Sequence, residues 1–372
     1  MGKILVISLY PFAASSGGFF RRRSSIFFQA LSQDWHVTIL SVDVLRKAQQ
    51  EVNFTANLRE IRVPITISSK DNECEGFFRD GVQLGCACAR AVQEPTSEFG
   101  TLARSLSRDS SIVIHETPFS EPIFREAPPI TEVYFVGESS LSASTSRFAE
   151  NLVSEQCWLD FWSLERALCR RARGIITPNQ AHSAILQLSY QIGSDSVFCI
   201  PDGCNEEVLE LAWQKKMSAN GRCYHLLLAF SNSDTGGSTS FMERAQEECR
   251  DKFEFTVIQA GSAPAEQAGL GAPQVRRCLT NHAWVNLLSS IDMVVVVGSA
   301  GSAAASVSEA RVLGIPVIAT PVAAHSLGLD ENASEFWIRE AGPALWRTIS
   351  EICRRRAGGS HLKVSSPQRA RF

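Results

Sequence analysis

The sequence predicts an α/β protein of two domains, each a parallel sheet covered by helices on both faces. Three observations predict it. Short apolar, β-branched runs alternate with amphipathic stretches along most of the chain, as they must where every crossover lays a helix against the sheet. The alternation lapses once, over residues 201–219, and then restarts. The 372 residues suit two domains of ordinary size, each long enough to bury a core without staples.

The elements follow in order. Residues 3–9 read as a first strand, 19–32 as a helix and 36–42 as the next strand. Further strands are expected at 111–115, 132–136, 174–177 and 196–200. A long helix over 149–173 carries an apolar stripe of Leu152, Cys157, Leu159, Leu164 and Leu168. After the lapse, strands are expected at 224–230 and 253–259, with a helix reaching residue 250 between them. The fully apolar, β-branched run 292–297 reads as a central buried strand, followed by a helix to residue 313 and a strand at 316–319. The domains are therefore drawn as 1–205 and 206–334. A helix over 335–356 follows, and 357–372, polar and basic, reads as a disordered tail.

Composition narrows the function classes. With 44% hydrophobic and 20% charged residues and a formal net charge of -3, the chain has no global attraction to nucleic acid. Arginine clusters at 21–23, 170–173 and 354–356 read as solvated helix ends or phosphate contacts. The apolar start breaks at Tyr10-Pro11, too early for a signal peptide, and no run approaches the ~20 apolar residues that span a bilayer. Eleven cysteines are scattered without zinc or redox spacing, so no metal is expected and the thiols read as reduced. These features point to the cytoplasm, with the Arg21 to Arg23 cluster compatible with peripheral contact at the inner membrane face.

Four segments could carry chemistry. Ser15-Ser16-Gly17-Gly18 lies between the first strand and helix, where glycines let the backbone approach a ligand and the helix N-terminus favours phosphate. Arg21 and Arg22 would add positive charge there; a plain glycine turn is the equal alternative. Gly298-Ser299-Ala300-Gly301-Ser302-Ala303 follows the central strand of the second half and precedes a helix holding Glu309. Small residues expose amides toward a diphosphate, and Glu309 can accept from ribose hydroxyls; the alternative is close helix packing with Glu309 solvated. The turn 201–205 is by itself only a turn. His115 and Glu116, at a strand end, are candidate acceptor-binding or acid–base groups, against the alternative of a half-buried loop histidine.

Together these segments resemble the retaining GT-B glycosyltransferases of family 4, which include sucrose synthase and bacterial mannosyltransferases. The resemblance runs through Lys3-Ile4-Leu5-Val6-Ile7-Ser8 with Ser16-Gly17-Gly18, and Glu165-Arg166-Ala167-Leu168 through Thr177-Pro178-Asn179. It continues at Val197-Phe198-Cys199-Ile200-Pro201-Asp202-Gly203. It is most specific from Ser290-Ile291-Asp292 through Glu309-Ala310-Arg311-Val312-Leu313-Gly314-Ile315-Pro316-Val317-Ile318-Ala319-Thr320-Pro321.

The resemblance implies two Rossmann-like domains facing a cleft, the first holding an acceptor and the second a nucleotide-sugar. The final helix would cross back onto the first domain. It implies metal-independent transfer to a hydroxyl or amine with no cofactor beyond the nucleotide-sugar co-substrate. Gly17, Gly18, Asn232, Gly301, Ser302 and Glu309 would contact the donor, and Arg21 and Arg22 its phosphates. The sequence also departs from the family pattern. Gly301 replaces the first of two paired glutamates, Ser306 replaces a lysine, and 231–237 lacks the usual basic pair. Gly137-Glu138 stands where many relatives carry a histidine. The departures favour a second expectation, a catalytically degenerate relative that binds a partner enzyme, as a binding partner or regulatory subunit, or a nucleotide, without turnover; a partner enzyme or a homodimer is the protein partner expected. A nucleotide-sugar epimerase shares the fold, but no residue pattern favours it.

Overall fold

The computed structural model describes residues 1–9, 11–12, 22–43, 48–65, 92–127, 129–136, 155–200, 210, 224–230, 253–259, 274–275, 289, 291–297, 304–313, 315–327, 329, 336–338, 345, 347–349 and 351. The chain forms two compact units, Met1–Pro201 and Asp202–Phe372. The sequence reading drew the boundary four residues later, after 205.

The first unit holds an eight-stranded sheet. Its strands are β1 (Lys3–Ile7), β2 (His36–Asp43), β3 (Gln50–Asn53), β4 (Leu58–Pro64), β5 (Ile112–His115), β6 (Thr131–Phe135), β7 (Gly174–Thr177) and β8 (Val197–Cys199). Their order is β3-β4-β2-β1-β5-β6-β7-β8, all parallel except β3 against β4. Side chains alternate across a strand, so burial on both faces marks a central one. In β1, Leu5 and Ile7 enter one core and Ile4 and Val6 the other.

Helices explain the two cores. α1 (Arg22–Leu31) covers the Ile4 and Val6 face, where Phe27 and Phe28 stack against Phe135 at ring distances of 4.7 and 5.5 Å. The opposite face is covered by α2 (Glu98–Arg108), α3 (Glu121–Phe124), α4 (Glu155–Arg171) and α5 (Gln180–Tyr190). α2 begins where the Ser97 hydroxyl accepts the Gly100 amide at 2.9 Å, with Glu98 in the first turn against the helix dipole. α5 begins with the Asn179 side chain accepting the His182 amide at 2.9 Å. It ends at Gln191 in the left-handed region, φ 55°.

Several sequence expectations are corrected. The long helix begins at Glu155 among the described residues, and its inward stripe is Phe161, Leu164, Glu165, Leu168 and Cys169. Leu159, expected in that stripe, is 43% exposed, because it falls two positions ahead of Phe161 and on the outer side. Strands β3 and β4 and helix α2 were missed. The Leu58–Pro64 run sets Arg59, Glu60 and Arg62 among its aliphatics, which breaks the strand period, and it reads as polar until its register against β2 is known.

The second unit holds a six-stranded parallel sheet of β9 (Tyr224–Phe230), β10 (Phe253–Gln259), β11 (Gln274–Val275), β12 (Met293–Val297), β13 (Val317–Ala319) and β14 (Phe336–Ile338). The order is β11-β10-β9-β12-β13-β14. β12 lies inside the sheet as its apolar run requires, with Met293 through Val296 buried. α6 (Ala304–Val312) follows it, and α7 (Pro321–Leu327) starts on a proline directly after β13. The helix expected from 335 is corrected: Phe336–Ile338 is the edge strand, paired with β13, and helix is described only at 345, 347–349 and 351. Residues 357–372 lie outside the described residues.

Candidate functional site

In a doubly wound sheet, ligands bind at the carboxyl ends of the strands where the winding direction reverses, because two loops part there and leave a crevice. Each unit has one such point. In the first, the chain winds outward from β1 to β2 and β4, then from β5 to β6, β7 and β8, so the reversal lies between β1 and β5. Ile7 and His115 are register partners there. In the second, it lies between β9 and β12, where Phe230 pairs with Val297.

The sequence-derived candidates begin at these four strand ends. The segment carrying Gly17 and Gly18 follows β1, and Glu116 follows β5. The segment carrying Asn232 follows β9, and the one carrying Gly301 and Ser302 follows β12. Gly17, Gly18, Arg21, Asn232, Gly301 and Ser302 themselves lie outside the described residues. Arg22 opens α1.

Glu116 is half-buried at the first crevice. Its amide donates to the Ile7 carbonyl at 3.0 Å, which carries the strand pairing one residue further. Its carboxylate accepts the Ser24 hydroxyl from the first turn of α1. Glu116 thus ties the β5 end to the start of the helix that follows the glycine segment.

His115, on the inner strand β5, points instead toward Ser120, Glu132 and Phe124. It is fully enclosed, not half-buried. Nδ1 meets the Ser120 hydroxyl at 2.7 Å and Nε2 meets Glu132 at 2.8 Å. Burial pushes its pKa below the ordinary value, against the opposing pull of Glu132. Nε2 faces the Glu132 carboxylate, and Nδ1 faces the Ser120 hydroxyl, which itself donates to the Thr117 carbonyl at 2.8 Å. With both nitrogens engaged inside the first unit, it has none to offer a substrate. The catalytic expectation for His115 is corrected on that ground.

The imidazole belongs to a buried polar chain that the sequence reading missed. Glu132 accepts two hydrogen bonds from Arg171, both at 2.8 Å, and Arg171 reaches on to Glu121 at 2.7 Å. Burial alone would raise the Glu132 pKa, but the bonds from His115 and Arg171 outweigh it and hold the carboxyl below its usual range. A second cluster sits alongside: Glu165 on α4, fully buried, accepts Tyr134 at 2.5 Å and Tyr190 at 2.7 Å. Burial first, and the neighbouring carboxylate next, push both phenols up, so they stay protonated and donate. Only the polar residues at inward strand and helix positions hint at these clusters; their pairing depends on contacts up to 50 residues apart.

In the second unit, Glu309 lies on the inner side of α6 and is fully buried. The solvated alternative is therefore excluded. Among the described residues no group of three His, Cys, Asp or Glu side chains stands together as metal ligands, and no helix is long and apolar enough to cross a membrane.

Comparison with known proteins fits this geometry. No family model matches the sequence, and no curated protein does. Solved structures do match. Sucrose-phosphate synthase from Thermosynechococcus elongatus superposes with a TM-score of 0.61 at 14% identity, over 96% of this chain and 90% of that one. The E. coli trehalose-6-phosphate synthase structure bound with UDP-2-fluoro glucose gives 0.59 at 10% identity, over 96% and 93%. Arabidopsis thaliana UGT89C1 complexed with UDP gives 0.56 at 16% identity, over 95% and 90%. The fold is GT-B. GT-B neighbours whose structures hold UDP or a UDP-sugar share the two-sheet plan of this chain. At these identities the likeness establishes the architecture, and the chemistry rests on this chain's own residues.

Proposed function

We propose that this GT-B chain is a retaining, family 4-like glycosyltransferase that moves a sugar from a nucleotide-sugar to an acceptor hydroxyl or amine. In this reading the second unit holds the donor. Amides at Gly301 and Ser302 are assigned to the diphosphate, Asn232 to the donor, and Glu309 to ribose or sugar hydroxyls. The first unit holds the acceptor; Gly17 and Gly18 are assigned to the donor, and Arg21 and Arg22 to phosphate. The bond from the anomeric carbon to the diphosphate breaks, a bond to the acceptor oxygen or nitrogen forms on the same face, and the acceptor proton passes to the departing diphosphate. No metal or further cofactor is part of the proposal. Glu116 is retained as a site residue through its hold on α1.

The observation that carries this reading is the coincidence in the second unit of a reversal point, a small-residue segment leaving it, and a fully buried carboxylate on the following helix. Helix N-termini beside such strand ends favour anions.

A second reading has its own support. Gly301 and Ser306 stand where the family pattern has glutamate and lysine. Losing one preorganised group at a developing charge costs ~3 kcal/mol, about a hundredfold in rate. Two such losses favour a binding or regulatory protein that holds a nucleotide or a partner enzyme without turnover.

One experiment separates them. Calorimetry with UDP, ADP and GDP, followed by hydrolysis assays with the matching sugars, should give binding and slow donor hydrolysis if the chain is a transferase. Binding without hydrolysis supports the degenerate reading. Glu309→Ala should abolish nucleotide affinity; unchanged affinity removes that residue, and with it the donor site as drawn.

A further inference from the structure

Ser120 has one hydroxyl proton and two acceptors within reach. The Thr117 carbonyl lies at 2.8 Å and His115 Nδ1 at 2.7 Å. On the other side of the ring, Nε2 meets a Glu132 carboxylate oxygen at 2.8 Å, and an ionised carboxylate only accepts. With the hydroxyl proton on the Thr117 carbonyl, both ring nitrogens face acceptors, which suits an imidazolium with two N–H groups. A ring with one proton keeps it on Nε2, against the carboxylate, and leaves Nδ1 bare. Ser120 then has to turn its own proton to Nδ1 and release the carbonyl. Burial favours the ring with one proton, and Glu132 favours the ring with two.

The charges around the ring decide what a second proton meets. Glu132 on β6 and Glu121 on α3 are buried, and Arg171 of α4 bridges them at 2.8 and 2.7 Å. Arg125 reaches Glu121 at 2.7 Å from an exposed position. The register partners of His115 add no charge: Ile7 on β1 is apolar, and Tyr134 on β6 is a phenol that donates to Glu165. Two buried carboxylates thus share one half-buried guanidinium, and an imidazolium balances them.

We propose that Ser120 is a proton-linked switch in the turn that leaves β5. When His115 takes a second proton, the hydroxyl swings from Nδ1 to the Thr117 carbonyl and ties Thr117 to Ser120. When the ring gives that proton up, the tie is released. The turn begins one residue beyond Glu116, whose amide holds Ile7 at the winding reversal. The proton on His115 therefore sets how firmly the chain is held behind Glu116. Burial holds the second proton back, so the tie forms below the ordinary imidazole value of 6.5. The switch lies within the first unit and does not depend on the transferase reading.

The test uses the full-length chain labelled with ¹⁵N-histidine, because ring-nitrogen shifts report which nitrogens carry protons. Among the seven histidines, the signals that His115→Gln removes are those of His115. Above its titration, His115 should show a protonated Nε2 and a bare Nδ1; below it, two protonated nitrogens. Hydrogen exchange at the Thr117, Phe119, Ser120 and Glu121 amides, measured against the β5 amides, should slow about fivefold as pH falls through the same midpoint, the scale of one neutral hydrogen bond. Ser120→Ala should abolish that step and lower the proton affinity of the ring about tenfold, because a charged N–H loses more with its partner than a bare nitrogen does. Ser120→Thr keeps a hydroxyl and should restore both to within about threefold of the native chain. If Ser120→Ala does not fold, coincidence of the ring and exchange midpoints in the native chain supports the switch, and separate midpoints overturn it. A ring whose proton count does not change before the unit unfolds overturns it too, as does exchange at the turn that stays level across the ring's titration or a native step that survives in Ser120→Ala.

Discussion

Replacing His115 by alanine separates a structural histidine from a catalytic one. The imidazole makes one hydrogen bond to an ionised carboxylate, Glu132, and one to the Ser120 hydroxyl, and packs edge-on to Phe124 at 5.2 Å. A bond to a charged group is worth about 1.5–3 kcal/mol and a neutral one about 1. The space left beside Phe124 adds about 1. Glu132 keeps its two bonds from Arg171, so it is not stranded. The expected loss is about 3–5 kcal/mol from the first unit, a fall in Tm on the order of 10 °C for a unit of this size. Calorimetry is the assay, because two units need not melt as one transition and the shift must fall on one of them. Turnover of a nucleotide-sugar, measured below the lowered Tm, should stay within about threefold of native. A general acid–base residue would cost about 10²–10⁴ in rate. A His115→Ala protein that melts like the native one but loses a hundredfold in rate refutes the assignment of this histidine to the buried chain.

Other expectations concern pH, the second cluster and one tight turn. The His115 pKa is depressed, so the unfolded chain binds its proton first. Stability should be level above the ordinary imidazole value of 6.5 and fall as pH drops below it, whereas in His115→Gln this step should vanish from a Tm series. Glu132 is also depressed, so its contribution is present above the ordinary value of 4.5 and is lost as pH falls further; Glu132→Gln should flatten that lower step. Tyr190→Phe removes one of two phenols from the buried Glu165 carboxylate and should cost about 2 kcal/mol in urea unfolding; a loss below about 0.5 would mean the carboxylate is held by other groups. Gly100→Ala should destabilise despite the better helix propensity of alanine, because the added carbon would stand 2.5 Å from the Glu94 carbonyl oxygen. A raised Tm in that variant contradicts the close approach of the 94–95 backbone to α2.

The sequence by itself determined the strands that are apolar throughout and the change of unit near residue 201. Runs such as Met293–Val297 and Tyr224–Phe230 declare themselves because a dense apolar run leaves no polar alternation to confuse. It also marked Glu309 and the small-residue segment before it, because glycine and serine at a strand-to-helix junction are a local signal. Only the tertiary structure decided that Ile7 lies beside His115 and Phe230 beside Val297, which puts the candidate segments at the two reversal points. Strand order is a property of pairing between residues far apart in the chain, and no local pattern encodes it. For the same reason the surroundings of His115 and Glu60 were out of reach. A histidine next to a glutamate at a strand end reads as chemistry until Ser120 and Glu132 are seen to hold both of its nitrogens. A glutamate in an arginine-flanked strand reads as surface until register turns it inward toward Ser41 and Phe12.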